Sequence, residues 1–128
     1  MELRIPVSAG ELIDKLTILE IKGERMSDAQ KLKNVQLERK LLADIVTGEI
    51  PDSSELTRLQ AEMKSVNETL WEIEDRVRDC ERRKDFGAAF VEDARAVYIT
   101  NDRRSQVKRQ INALLGSEIV EEKSYEAY

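Results

Sequence analysis

The chain has 128 residues, enough for one domain, and it contains no histidine and a single cysteine, Cys80. Ser-His and Cys-His catalytic pairs, histidine zinc sites and internal disulfides are thereby excluded. Charged residues reach 37% while the net charge is only −5, a balance that suits solvated helix faces and lacks the basic excess of a nucleic-acid footprint.

Ala, Glu, Lys, Leu and Arg supply 61 of the 128 residues, which is helix-forming composition. At the start, Leu3, Ile5 and Val7 alternate with Glu2, Arg4 and Pro6, and this predicts a short extended arm over 1–7. Ser8 and Glu11 form a capping box, so helix 1 begins there. Leu12, Leu16, Leu19, Gly23 and Met26, flanked by Ile13, Ile18 and Ile21, make it apolar around more than half its circumference. Deep burial against more than one neighbour follows.

Ser27 with Gln30 repeats the capping signal, and Gly48 is placed as a stop. Helix 2 is therefore expected over 28–47, with Leu32, Val35, Leu41, Leu42, Ile45 and Val46 available for packing. After the Gly48 to Pro51 turn, Asp52 to Glu55 is a third capping box candidate. Helix 3 then carries the most regular pattern, in which Leu56, Leu59, Met63, Val66, Leu70, Ile73, Val77 and Cys80 keep 3-4 spacing. Cys80 belongs to that stripe and reads as a buried structural thiol. Arg82 to Gly87 breaks the pattern as a hairpin turn, and helix 4 follows over 87–115 with Phe90, Val97, Val107, Ile111 and Leu114 as its apolar face and Gly116 as its stop. Residues 117–128 form an acidic tail. The expected fold is all-α, a single-domain antiparallel bundle with a long helix 3/helix 4 hairpin and extended terminal segments.

Helices 3 and 4, at about 45 Å each, exceed helices 1 and 2, at about 30 Å. Helix 2 is expected to cover the first two-thirds of helix 3, leaving a projecting tip with Ile73, Val77, Phe86, Phe90 and Val91. An apolar strip of that size needs a cover, and a homodimer is the expectation. At the other end, residues 2–7 and 118–125 lie close enough to pair as a two-stranded ribbon.

Helix 4 also holds the irregularity that bears on chemistry. Thr100 and Arg104 interrupt its apolar stripe, beside a polar stripe of Tyr98, Asn101, Ser105, Lys108 and Asn112. An arginine among core positions requires a partner, available as Glu72, Glu74 or Asp75 on helix 3 and as Asp14 or Glu20 on helix 1. Trp71, Glu74, Asp75, Asn101, Asp102 and Arg104 are the candidate ligand-binding group, with a carboxylate for proton transfer and Arg104 for an anion. The same residues also suit a structural ion-pair network that fixes helix register. Glu72, Asp75 and Asp79 share a face but are interleaved with Arg76, Arg78, Arg82 and Arg83, so helix-surface pairing is expected there and no metal. Lys108 and Arg109 sit where the helix dipole favours cations. No phosphate loop or dinucleotide fingerprint is present.

The run Val7 to Glu20, the segment Leu70 to Asp75, Tyr98 with Asn101 to Arg104, and the ending Leu115 to Tyr125 together resemble an uncharacterised bacterial protein family of unknown function, whose members are short and single-domain. The resemblance spans nearly the whole chain and implies no catalytic residues. Ile13-Asp14 with Arg25-Met26 is also similar to the first helix of helical chorismate mutases, but that family places an arginine where this chain has Gly10.

Two functional expectations follow. The first is a non-catalytic, homodimeric interaction module with other protein partners, in the cytoplasm, since Met1 to Arg4 lacks the apolar core of a signal peptide and no apolar run is long enough for a membrane span. It needs no cofactor and no nucleic acid. The second is a small binding protein or enzyme using the six candidate residues on a polar or anionic metabolite.

Overall fold

The computed structural model describes residues 1–128. Four helices hold three-quarters of the chain: α1 (Ala9–Arg25), α2 (Ala29–Glu49), α3 (Ser54–Arg83) and α4 (Ala88–Leu115). The all-α fold with extended ends is as the sequence predicts. Each of the first three helices starts at a side-chain cap: Ser8 Oγ accepts from Glu11 N–H at 3.1 Å, Asp28 Oδ1 from Lys31 N–H at 2.8 Å, and Ser53 Oγ from Leu56 N–H at 3.1 Å. The second cap is Asp28 rather than Ser27. The helix that follows runs through Gly48 to Glu49, and Pro51 rather than the glycine ends it. The hairpin turn is closed by Lys84 in the left-handed region (φ 55°), and Gly116 (φ 60°) ends α4 in the same conformation.

α1 is the centre of the molecule, touching all three other helices. The core joins Ile13 of α1, Leu56, Leu59 and Met63 of α3, and Val107 and Ile111 of α4. Ile13, Met63 and Ile111 are fully enclosed, each stabilising the fold by about 1.5–3 kcal/mol. Farther along, Ile73 and Cys80 fill the α3/α4 seam. Leu115 packs on the core in place of the expected Leu114, which stays exposed.

Three expectations are corrected. α2 does not cover α3; it lies against α1 and makes no helix contact with α3 or α4, because the apolar stripe of α3 is spent on α1 and α4. Only Val35 of α2 is buried, with Val46 reaching the core edge. Secondly, the hairpin tip is less apolar on its surface than its composition suggests. Ile73 is sealed in the seam and Val77 is half-buried, leaving Phe86 and Val91 exposed while Phe86 and Phe90 stack edge to face at 5.3 Å. Thirdly, residues 2–7 and 118–125 form no ribbon. The tail instead runs back along α4, where Glu121 meets Lys108 and Glu122 meets Arg109, each at 2.8 Å. No helix is long and apolar enough to cross a membrane.

Candidate functional site

The C-terminal part of the polar stripe of α4, Lys108 and Asn112, faces α1, and a glycine makes that approach possible. A Cβ on Gly10 would stand 2.6 Å from the Lys108 carbonyl oxygen and 2.9 Å from Asn112 Oδ1. In its absence, the Gly10 N–H donates to Asn112 Oδ1 at 2.6 Å and the Ala9 N–H to Ser117 Oγ at 3.2 Å. The free amides of the first turn of α1 are thus satisfied by the far end of the chain.

One turn on, Asp14 is completely buried. Its carboxylate accepts from Arg104 Nε at 3.0 and 3.1 Å and from Arg104 Nη2, and from Asn67 Nδ2 at 2.8 Å. Asn67 Nδ2 also donates to Thr17 Oγ1 at 2.9 Å, whose hydroxyl donates to the Asp14 carbonyl. Beside this pair, the buried Lys108 ammonium donates to Glu11 at 2.6 Å and to Glu121 at 2.8 Å, and lies 3.8 Å from Asp14. Three carboxylates therefore share two cations, and without the tail the count is balanced. Burial pulls the Arg104 and Lys108 values down, but the hydrogen bonds that Arg104 donates to Asp14 and Lys108 to Glu11 and Glu121, together with the attraction of the surrounding carboxylates, outweigh it, and both end raised. The hydrogen bond from Lys108 holds the Glu121 carboxyl below its ordinary value.

A depressed carboxyl stabilises the bound form above its unfolded value and loses that stabilisation as pH falls through the folded one. Tail docking is accordingly expected to weaken on acidification from the ordinary glutamate range downward. Amide cross-peaks of residues 118–128 in 1H–15N spectra should move toward random-coil positions there, ahead of those of α1. Tail peaks that stay fixed until the helices unfold would contradict this.

On the outer side of the Asp14–Arg104 pair, α1, α3 and α4 enclose a groove of about 390 Å³, lined by Ile18, Ile21, Asn67, Leu70, Trp71, Glu74, Asp75, Arg78, Asn101 and Arg104. Five of the six sequence candidates thus share one groove. Trp71, Asn101 and Arg104 are half-buried in it, whereas Glu74 and Asp75 are exposed on its rim. Glu74 is engaged by Arg78, and Asp75 has no ion-pair partner. Asp102 stands apart. It accepts from the Tyr128 hydroxyl and lines a separate cavity of about 860 Å³ beneath the tail, where Tyr98 and Tyr128 meet edge to face at 5.4 Å. The neighbouring acidic positions are ordinary pairs, Glu72 with Arg25 and Asp79 with Arg82 and Arg83.

Sequence reasoning placed Asp14 only among possible partners of Arg104 and passed over Asn67. Both carried a signal: Asp14 is a charge inside the broad apolar surface of α1, and Asn67 lies four residues from both Met63 and Trp71. Lys108, in the polar stripe at a position that the helix dipole favours for a cation, is a buried hub, because Gly10 draws its backbone against α1.

The chain belongs to a family of unknown function, DUF6165, whose model matches residues 3–128. No curated protein and no solved structure matches it.

Proposed function

We propose that the protein is a non-catalytic helical interaction module that works as a homodimer, joined through α2. The observation that carries this reading is the outer stripe of α2. Lys33, Leu37, Leu41, Ile45 and Glu49 follow one another at intervals of four, with Lys33, Leu37 and Leu41 on the side turned away from Val35 and Val46, and Ile45 and Glu49 bordering the cleft against the start of α1. Leu37, Leu41 and Ile45 are 63%, 45% and 46% exposed.

The stripe reads as its own complement. A two-fold axis at Leu41 sets Leu37 against Ile45 and Lys33 against Glu49 of the second copy, as an isologous contact demands. Rows spaced by four are also the ridges that interdigitate in the commonest class of helix crossing. Beyond its Asp28 cap, α2 has no acid in its first turn and no base in its last, so Lys33 and Glu49 gain nothing from its dipole; an antiparallel partner gives them opposite neighbours.

Cytoplasmic placement belongs to the same proposal, supported by a core thiol, Cys80, that needs no oxidising compartment. Sedimentation velocity at micromolar concentration is expected to give twice the chain mass. Leu41→Glu puts two like charges at the axis and should weaken association by about 100-fold, roughly 2.7 kcal/mol, with unchanged helicity. Phe86→Glu at the hairpin tip should leave the dimer intact. A monomeric wild type, or a Leu41→Glu variant still dimeric, would overturn the proposal.

A further inference from the structure

The groove beside Arg104 contains polar atoms for which the protein provides no partner. Asn67 is 5% exposed, and both its amide hydrogens are committed, to Asp14 and Thr17. A carboxylate only accepts at this pairing, so the amide orientation is fixed by chemistry and Asn67 Oδ1 is the atom left over. It accepts from no protein donor, yet no buried side-chain polar atom lacks a partner; Oδ1 therefore opens into the groove that Asn67 lines. Arg104 is in a similar position. Its Nε and Nη2 are anchored on Asp14, and Nη1 has a single long contact, 3.5 Å to Asn101 Oδ1. N–H groups of that guanidinium remain without a protein acceptor, on a side chain whose direction is locked by a buried carboxylate.

Charge decides what fits. Asp14 neutralises Arg104 and Glu74 neutralises Arg78, which leaves the unpaired Asp75 as the groove's net charge. A phosphate or other multivalent anion meets a site of the wrong sign, whereas a molecule with one carboxylate and one ammonium matches both Arg104 and Asp75. Ile18 and Trp71 give it an apolar wall, and the volume is at the small end of ligand cavities, about 300–1,000 Å³. We infer that this groove binds a small apolar α-amino acid, its carboxylate on Arg104 and Asn101 and its ammonium on Asp75, two helix turns along α3 from Asn67. This inference is independent of the α2 dimer, since the groove is formed by α1, α3 and α4.

Trp71 is the one tryptophan of the chain, so its fluorescence reports the site directly. Titration with L-leucine, L-valine and L-methionine should give a saturable change for at least one of them below about 10 mM, corresponding to roughly 2.7 kcal/mol of binding. For L-leucine, 4-methylpentanoate lacks the ammonium and 3-methylbutylamine lacks the carboxylate; each half should bind at least tenfold more weakly than its parent. Asp75→Asn, an exposed change that leaves the buried network intact, should weaken the amino acid about tenfold and 4-methylpentanoate not at all. Absence of response to all three amino acids, equal binding of the carboxylate alone, saturable binding of inorganic phosphate, or an Asp75→Asn variant indistinguishable from wild type would each overturn it. Sedimentation of the same samples separates this outcome from that of the dimer.

Discussion

Arg104→Met is expected to cost about 3–5 kcal/mol of folding stability, read as a lower urea midpoint by far-ultraviolet circular dichroism. The size follows from what the substitution leaves behind. Asp14 has no solvent exposure, so removing its main partner strands a carboxylate in the interior. Asn67 still donates at 2.8 Å and Lys108 remains 3.8 Å away, which places the loss toward the lower end of that range. Because domains of this kind are stable by only about 5–15 kcal/mol, the variant should be largely folded in the cold and marginal at body temperature. The paired change Asp14→Leu with Arg104→Met removes both charges and should recover a large part of the loss, since a buried ion pair and an apolar replacement are often nearly equal in stability. A single variant within about 1 kcal/mol of wild type would mean that water reaches Asp14 and that the pair acts as a surface bridge.

Gly10→Ala tests the other contact on which the site depends, and here the sign is informative. In an isolated helix the change is favourable by about 1 kcal/mol. In this fold the new methyl would stand 2.6 Å from the Lys108 carbonyl oxygen, and backbone cannot swing aside as a flexible side chain can. Overpacking of this sort costs about 1–3 kcal/mol, and separating α1 from α4 would also stretch the 2.6 Å bond from the Gly10 N–H to Asn112. Net destabilisation is expected, together with displacement of Lys108 from Glu11 visible in the side-chain ammonium resonance. Gly48→Ala is the control. No atom lies within 4 Å of the Cβ it would add, and the helix gain should appear undiminished. An equal response at the two glycines would contradict the close approach of α1 and α4.

What could be read from the residues was the part governed by local rules. Caps at Ser8 and near residues 28 and 53, the stop at Gly116, and the 3-4 stripe of α3 each depend on a few neighbouring residues, and the helices lie where those signals put them. The site was legible by composition: an arginine in a core stripe needs a carboxylate, and one was present. Which carboxylate depends on how α1 crosses α4, and that depends on the missing side chain at Gly10, whose effect appears only when two distant backbones meet. The same limit explains α2. Its apolar residues are compatible with packing on α3, but short connections prescribe neighbours only while the shared face is free, and the face of α3 was already occupied by α1 and α4. Glu74 and Asp75 line the groove from its exposed rim, a position the residues alone do not give, because helix period gives a direction and no depth.

The closure of α1 by the last turn of α4 also bears on how the chain is made. Gly10 is bonded to a residue 102 positions later, Ala9 to one 108 later, and Asp14 waits for a guanidinium 90 positions downstream. Until that downstream segment is in place, α1 holds an unfinished N-terminus and an uncompensated acid. Contacts of such long sequence separation slow folding, since the chain must close on itself before they repay the loss of freedom. The native interior is therefore not acquired by adding one helix after another; the first turn of α1 is completed only when Asn112 and Ser117 reach it.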